Sequence, residues 1–201
     1  MIVVVDYGMG NLRSVSKALE HLGGKIRVSS RPKDIENADK VVLPGVGAFG
    51  DAVRELHYRN LFEPLKIYLT NRKPFLGICL GLQLLFPSSE EDTTATGLGT
   101  FPGRNKRFES STVKVPHMGW NQVHFPTQHP LLRGVPDNAY FYFVHSFYAC
   151  PEDPQIVLGA CRHGDEKFAA LLGQESIVAT QFHPEKSQKA GLALLKNFID
   201  W

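Results

Sequence analysis

Short apolar runs alternate with stretches of helical periodicity along the first half of the chain. The run Ile2–Asp6 is almost continuously apolar, which is typical of a strand buried on both faces of a parallel sheet. Asn11–Leu22 carries apolar side chains at intervals of three and four, which predicts a helix ending at the glycine pair after it. Similar signals predict a strand at Ile26–Ser29, a helix at Pro32–Ala38, a strand at Lys40–Leu43 ended by Pro44-Gly45, a helical stretch to Leu69 and a strand at Pro74–Ile78. This alternation predicts a parallel sheet with right-handed crossovers.

The second half of the chain has a different pattern. From about Ser88 to Pro136 it is rich in Gly, Pro, Ser and Thr, and its periodicity is weak. Closely spaced strands are predicted after that, followed by a helix: Tyr140–Ser146, Ile156–Cys161, Phe168–Leu172, Ile177–Gln181 and the helix Gln188–Asp200. We therefore expect one α/β domain over residues 1–201, with helices flanking a mostly parallel central sheet and some antiparallel strands in the second half.

Composition and charge exclude several classes of protein. Hydrophobic residues make up 43% and charged residues 21%, as in ordinary globular proteins. A net charge of +2 is too small to favour nucleic acid or an anionic membrane as a partner. No apolar run reaches membrane-spanning length, and the N-terminus has no basic region typical of a signal peptide. We expect a cytosolic protein.

The cysteine count agrees with a reducing compartment. The three cysteines cannot all pair, and none forms a CxxC motif with another. No two Cys or His residues have the usual zinc-ligand spacing, so we expect neither a metal nor a cofactor. Cys150 and Cys161 lie in segments without a reactive setting, and we expect them to be small core residues.

Cys79 has a different setting, because glycines flank it at two-residue spacing. Gly77 and Gly81 surround it where the predicted strand meets the helical pattern Leu80–Phe86. This is the arrangement of a nucleophile elbow, a turn so sharp that only small flanking residues fit. The elbow predicts a sulfur raised above the carboxyl ends of the strands, at a helix N-terminus that favours the thiolate.

A candidate base and its orienting carboxylate follow the last predicted strand. His183 and Glu185 are separated by Pro184, and in extended backbone such residues project to one side. A carboxylate bonded to one imidazole nitrogen leaves the other free to face the sulfur. Sequence therefore supplies a nucleophile, a base and an orienting group. Five other histidines are expected on helix surfaces or in polar turns: His21 and His57 in the first group, His124, His129 and His163 in the second.

These residues resemble the class I, triad-type glutamine amidotransferases, marked by G-x-C-x-G-x-Q and a later H-P-E. The chain has both, as Gly77-Ile-Cys-Leu-Gly-Leu-Gln83 and His183-Pro-Glu185. Three more segments resemble one family among them, the glutaminase subunits of imidazole glycerol phosphate synthase in histidine biosynthesis. They are Asp6-Tyr-Gly-Met-Gly-Asn11, Pro44-Gly-Val-Gly-Ala-Phe-Gly50 and Pro116-His-Met-Gly-Trp-Asn121, and the resemblance spans essentially the whole chain.

The resemblance implies hydrolysis of L-glutamine to glutamate and ammonia, with Cys79 attacking the side-chain amide. Backbone N–H groups then receive the oxyanion, and losing one such donor typically costs about 10²–10³ in rate. The Leu80 N–H is one natural donor, and by resemblance Val46 supplies the second. The family contacts to glutamine fall on Gly47, Gln83, Glu91, His145, Ser146 and Phe147. Phe147 replaces the tyrosine expected there, and an exposed acidic loop is an alternative interpretation of Glu91.

The family passes its ammonia to a barrel-shaped cyclase subunit, which makes imidazole glycerol phosphate and AICAR. The two form a heterodimeric, lyase-type synthase. By resemblance, the partner interface and the ammonia tunnel include Asn11, His117, Met118, Trp120, Tyr142 and Lys186. A core tryptophan is an alternative interpretation of Trp120, and a solvated lysine is one of Lys186.

Three other functions stay open at this point. The ammonia acceptor could belong to a tryptophan- or purine-pathway synthase, because only the segments outside the triad argue for histidine biosynthesis. Cysteine hydrolases and chaperone-like proteins use similar α/β folds, but they need no H-P-E after the last strand. A non-catalytic binding relative would have no reason to retain all three triad members.

Overall fold

The computed structural model describes residues 1–109 and 113–201. The first half follows the predicted alternation: β1 (Ile2–Val5), α1 (Leu12–His21), β2 (Ile26–Ser29), α2 (Pro32–Glu36), β3 (Lys40–Gly45), α3 (Phe49–Tyr58), α4 (Phe62–Thr70), β4 (Phe75–Cys79) and α5 (Leu80–Gln83). The second half is mostly strands: β5 (Ser88–Ser89), β6 (Gly103–Arg107), β7 (His117–Val123), β8 (Ala139–His145), β9 (Phe147–Pro151), β10 (Val157–His163), β11 (Glu166–Gln174), β12 (Ile177–Thr180) and the closing helix α6 (Gln188–Asp200).

A seven-stranded sheet in the order β10-β11-β12-β4-β3-β1-β2 forms the centre of the molecule. The pairs from β12 to β2 are parallel, whereas β11 pairs antiparallel with both β10 and β12. β6 and β9 pair antiparallel in a second sheet, and β7 and β8 do so in a third. The predicted fold class is therefore confirmed, including the antiparallel strands in the second half.

The central sheet is covered on both faces, which explains why its inner parallel strands β1 and β4 are buried along their whole length. Alternate residues of β1 belong to two separate cores, Val3 to one and Val4 to the other. The first core includes buried side chains of α3 and α4, such as Leu56 and Leu65. The second includes α1 and α6, together with the inner face of the β7–β8 pair. This pair is thereby held on the face of the sheet that carries α6.

The longest helix, α6, has 13 residues, and among the described residues no helix is long and apolar enough to cross a membrane. Its C-terminal end is capped by a side chain from the start of β3. The Lys40 Nζ donates to the carbonyls of Phe198 at 2.9 Å and Ile199 at 2.7 Å. These are orphan acceptors at a helix C-terminus, where a cation is favourable.

Several predicted boundaries are wrong for identifiable reasons. β3 does not end at Leu43, because Pro44 and Gly45 continue it and pair in parallel with Ile78 and Cys79. The predicted helical stretch to Leu69 is two helices, divided near Asn60, whose φ of 57° lies in the left-handed region. The helical pattern Leu80–Phe86 forms only the four-residue α5.

Strands β6 and β7 lie in the weakly periodic segment from about Ser88 to Pro136 and were not predicted from the sequence. Strand β9 was not predicted either. In β7 the usual alternation is disguised, because the exposed positions hold the large apolar residues Met118 and Trp120. The buried positions of the strand hold His117 and Val123. Because two of the three exposed residues are apolar, the sequence lacks the apolar–polar alternation typical of a half-buried strand.

Candidate active site

Cys79 is the last residue of β4 and the N-cap of α5, with φ 55° and ψ −107°. A non-glycine residue in this region costs on the order of 1–3 kcal/mol, and such strain clusters at functional sites. Both flanking glycines are sterically required. A Cβ on Gly77 would lie 2.7 Å from the Gly81 carbonyl oxygen, and one on Gly81 would lie 1.9 Å from the Leu43 oxygen. The structure thus has the geometry of the predicted elbow, although the helix it opens has only one turn.

His183 and Glu185 lie together just beyond β12. The His183 Nδ1 is 2.9 Å from Glu185 Oε1, and both side chains are buried. The sequence suggested that extended backbone brings these two side chains together. In the structure a 3₁₀ turn over Pro184–Lys186 does so instead. The main-chain N–H of His183 donates to the Tyr142 carbonyl at 2.9 Å, which ties this turn to β8.

Electrostatics couple the imidazole to Cys79. Burial lowers the pKa of His183, but Cys79 and the Glu185 carboxylate outweigh it and hold that pKa well above the usual imidazole value. With Nδ1 held by Glu185, Nε2 is the nitrogen available to the sulfur, and it has no hydrogen-bond partner among the described residues. A protonated imidazole beside a cysteine favours the thiolate.

A cavity of about 260 Å³ lies over Cys79. It suits a molecule of amino-acid size better than a large cofactor. The residues around Cys79 in its wall are Val46, Gly47, Leu80, Gln83, Glu91, Pro116, Val144, His145, Ser146 and Phe147. All six residues predicted to bind substrate and both predicted oxyanion donors are among them. Pro116 and Val144 were not predicted as site residues, since nothing in their chemistry marks them.

The side chains of Gln83 and Glu91 in this wall already make hydrogen bonds within the protein. Gln83 Nε2 donates to the Phe147 carbonyl at 2.9 Å and to Gln181 Oε1 at 3.2 Å, so a ligand can bond to this amide only at Oε1. Glu91 Oε2 accepts from the Phe49 N–H at 2.8 Å, at the start of α3. Glu91 is an exposed residue, as the acidic-loop alternative required, but its carboxylate is held at the cavity by this bond.

His145 and His117 form a buried pair next to the cavity. His117 Nδ1 lies 3.0 Å from His145 Nε2, and His145 Nδ1 lies 2.8 Å from the Phe147 carbonyl oxygen. Because that carbonyl can only accept, we assign the His145 proton to Nδ1 and the bridging proton to His117. Burial lowers the pKa of His145 to about 3 and that of His117 to about 4. Both rings are therefore neutral near pH 7.

Two histidines lie in surroundings that the sequence did not suggest. His117 was predicted at the partner interface or the ammonia tunnel, and its side chain is buried, with only 5% of the residue exposed. His163 was predicted in a polar turn, but it ends β10 and stacks on the His117 ring with centroids 4.2 Å apart. His21 and His57 are exposed, as predicted.

The two predicted oxyanion donors are in different states. Leu80 is the first residue of α5, and its N–H is one of those left unpaired at a helix start. The Val46 N–H donates to the Met9 carbonyl at 3.4 Å. It is therefore engaged by the loop after β1 and serves no oxyanion in this conformation. Gly47 follows it with φ 108°, which only glycine adopts readily.

Four of the predicted interface residues lie on or beside one outward face, that of the β7–β8 pair. Met118 is 64% and Trp120 46% exposed on β7, so the core-tryptophan alternative is wrong. Trp120 pairs in register with Tyr142 of β8, with ring centroids 6.1 Å apart. Lys186 Nζ lies 5.6 Å above the Tyr142 ring, so this exposed lysine is not simply solvated. Asn11 is half-buried at the start of α1, and Tyr140, not predicted, extends the face with 56% exposure.

The surroundings of the two other cysteines favour the neutral thiol. Burial raises the pKa of Cys161 to about 12 and also raises that of Cys150. Cys161 is buried and Cys150 half-buried. Within residues 1–109 and 113–201, no group of three or more His, Cys, Asp or Glu side chains could hold a metal ion.

Comparison with known proteins places these observations in a family. The family model for "Glutamine amidotransferase class-I" matches residues 3–201. A relative from Nitrosococcus oceani named "Imidazole glycerol phosphate synthase subunit HisH" is 50% identical over 204 residues, covering 100% of this chain and 97% of its own length. Relatives with the same name from Syntrophotalea carbinolica and Microcystis aeruginosa are 48% and 47% identical; the alignments cover 100% and 99% of this chain, and 100% and 94% of theirs.

Solved structures support the fold alone, because their sequence identity is low. One described as "Crystal structure of glutamine amidotransferase" has a TM-score of 0.77 at 17% identity, covering 100% of this chain and 98% of its own. Another, "Structure of PurLQS from Thermotoga maritima", also has a TM-score of 0.77, at 18% identity, with 99% and 97% coverage.

Proposed function

Because the chain belongs to the class I glutamine amidotransferases, we propose that it is the glutaminase subunit of an imidazole glycerol phosphate synthase. It hydrolyses L-glutamine to glutamate and ammonia for histidine biosynthesis. Relatives that are 47–50% identical over nearly their whole length carry that subunit name. The observation that carries the chemistry is His183, held by Glu185 and coupled to Cys79 at one end of the cavity.

The proposed reaction proceeds through a thioester. The Cys79 thiolate attacks the side-chain amide carbon of glutamine, and the oxyanion forms beside the Leu80 N–H. His183 Nε2 then protonates the departing nitrogen, which leaves as ammonia. The neutral imidazole next takes a proton from water, whose oxygen attacks the glutamyl thioester and releases glutamate. Glu185 holds the imidazole in the orientation that both steps need.

Substrate recognition is assigned to the wall of the cavity. The Glu91 carboxylate attracts the α-ammonium group of glutamine, and Gly47 and Gln83 contact the bound molecule. The α-carboxylate can only accept hydrogen bonds, so it is assigned to N–H groups of the Ser146–Phe147 segment, whose Phe147 carbonyl accepts from Gln83 and His145. The absence of a tyrosine hydroxyl at position 147 leaves these backbone contacts unchanged.

The outward face of β7 and β8 is the proposed docking surface for the barrel-shaped cyclase subunit. Its aromatic and sulfur-containing side chains are typical of interface anchors: Met118 and Trp120 are exposed, and Tyr142 is half-buried. The face also adjoins the triad, because the Tyr142 carbonyl accepts from the His183 N–H. Ammonia released at Cys79 would then enter the partner without crossing bulk solvent. Lys186, over the Tyr142 ring, is placed to pair with a partner carboxylate.

We further propose that residues 1–201 act as one glutamine amidotransferase domain in the cytosol. The odd, sparse set of free cysteines supports a reducing compartment. The two cores share the same central sheet, which supports a single folding unit.

The decisive experiment separates glutamine hydrolysis from the use of free ammonia. Cys79→Ser, reconstituted with the cyclase subunit, should lose glutamine-dependent synthesis of imidazole glycerol phosphate and keep synthesis from ammonium salts. Product formation is measured with each nitrogen source. Loss of both activities would show that Cys79 is structural, and glutamine-dependent synthesis with a tryptophan- or purine-pathway synthase would identify a different acceptor.

A further inference from the structure

The side chain of Gln181 lies against the nucleophile, and the triad mechanism does not use it. Gln181 directly follows β12 and is fully buried, with 0% of its surface exposed. Its Nε2 lies 3.7 Å from the Cys79 sulfur, within hydrogen-bonding range of sulfur. Its main-chain N–H donates to the Ala170 carbonyl at 2.9 Å, which fixes the residue to β11.

The orientation of the Gln181 amide follows from its bond to Gln83, which is itself bonded to the Phe147 carbonyl oxygen. The Phe147 carbonyl oxygen can only accept, so the Gln83 atom 2.9 Å from it is the NH₂ group. That same nitrogen lies 3.2 Å from Gln181, which must therefore present its oxygen to Gln83. The Gln181 NH₂ is consequently the group that faces Cys79. The Gln83–Gln181 and Gln181–Cys79 contacts are both buried, so water cannot readily substitute for either of them.

The other ionisable groups around the sulfur come from separate elements. His183 and, behind it, Glu185 approach from the turn after β12. Tyr7, from the loop after β1, is buried, and its phenol has a raised pKa caused by burial and by Cys79. Glu91 lines the cavity, and His145 lies at the end of β8 with a lowered pKa. Unlike these ionisable groups, Gln181 is a neutral donor. Its hydrogen bond to Cys79 would strengthen when the thiol becomes a thiolate.

We propose that Gln181 is a positioning residue for the nucleophile: its Nε2 donates a hydrogen bond to the Cys79 sulfur, holds its rotamer and stabilises the thiolate. The inference rests on the proposed role of Cys79. Gln83 and Phe147 in turn hold the Gln181 amide in its orientation, so the glutamine-binding wall and the nucleophile share one hydrogen-bonded chain.

The test is alkylation of Cys79 by iodoacetamide across a pH series, read by mass spectrometry of the Cys79 peptide. Gln181→Met keeps the approximate shape of the side chain but removes the donor, and Gln181→Glu replaces it with an acceptor oxygen. Each variant should slow Cys79 alkylation at pH 7 by about tenfold, because a hydrogen bond to a charged group is worth at least one order of magnitude. The pH of half-maximal rate should move upward, and kcat with glutamine should fall more than KM rises.

The chain carries its own controls for this experiment. Cys161 is buried, so its protection reports that a variant is folded, while half-buried Cys150 reports general thiol reactivity. Asn197→Ala is a matched control, since it removes another buried amide whose bonds go to Leu131 and Arg133. It should leave the alkylation profile of Cys79 unchanged.

The outcomes separate this proposal from the proposed function. An unchanged Cys79 profile in both Gln181 variants, with Cys161 protected, would overturn it, whether or not the protein hydrolyses glutamine. If Cys161 becomes exposed in the variants, they are not folded, and the proposal is then tested by NMR of the wild-type chain. The Gln181 side-chain NH₂ signals should then shift with pH in the wild type and remain still in Cys79→Ala. Signals that do not shift in the wild type would also refute the proposal.

Discussion

The main-chain N–H of Val46 donates to the Met9 carbonyl at 3.4 Å, and this bond ties the end of β3 to the loop after β1. The same N–H is the proposed second donor of the oxyanion hole. It cannot serve both acceptors, so the structure has an assembled nucleophile, base and orienting carboxylate beside an incomplete hole. Rotation of this peptide would release the donor, and the two glycines around Val46 lower the cost of such a change.

We therefore expect the isolated chain to be a poor glutaminase. Removing one oxyanion donor typically reduces turnover by about 10²–10³. Adding the cyclase subunit and its nucleotide substrate should raise glutamate release by a factor in that range, if the partner shifts Val46 toward the active conformation. Glutamate production is measured with and without the partner. Full turnover by the isolated chain would show that the Val46–Met9 bond has no inhibitory effect.

Gly81→Ala should severely destabilise the fold. The added methyl would lie 1.9 Å from the Leu43 carbonyl oxygen, and neither backbone segment can move without disturbing β3 or the elbow. We expect a loss of about 3 kcal/mol or more in the free energy of unfolding, at the upper end of overpacking effects. Denaturant titration measures it.

Gly99→Ala is the comparison for that substitution. Gly99 has φ 66° but open space around its Cβ position, so the expected cost is only about 1–2 kcal/mol of backbone strain. Equal losses in the two variants would mean that the elbow can relax around a side chain.

The buried histidine pair should make the chain sensitive to acid. The folded-state pKa values of His145, about 3, and His117, about 4, lie below the ordinary value of 6.5. Between these values and 6.5 the unfolded chain binds more protons, so stability falls as pH is lowered through that window. Denaturant titrations from pH 7 to pH 4 should show this decline, and it should be shallower in His117→Asn. A parallel decline in the two proteins would assign the acid sensitivity to other groups.

Trp120→Ala should weaken binding to the cyclase subunit without unfolding the chain. Trp120 is 46% exposed, and a central interface tryptophan typically contributes about 2–4 kcal/mol when truncated. The dissociation constant should then rise about 30- to 1000-fold, measured by titration calorimetry. Tyr58→Ala, at an 82% exposed position on α3, should leave it unchanged. Unaltered affinity in Trp120→Ala would place the partner elsewhere.

The fold class and the three proposed triad residues could be predicted from the sequence because each depends on a local pattern. The apolar runs of β1, β3 and β4 indicate a parallel sheet because stretches of helical periodicity alternate with them. Gly77 and Gly81 mark the elbow because a side chain at either position would collide with neighbouring backbone. The reverse is true of β7, whose exposed Trp120 and Met118 obscure its alternation.

Other features depended on the approach of distant strands, which local pattern does not encode. His117 and His145 meet only because β7 pairs with β8, and Gln181 reaches Cys79 because β12 lies beside β4. Residue type alone could not show that His117 is buried or that Gln181 faces the Cys79 sulfur. It also could not show that the Val46 N–H donates to the Met9 carbonyl. Sequence by itself determined the reactive groups, since their chemistry is local. Tertiary structure decided which hydrogen bonds hold them, because each bond joins segments far apart along the chain.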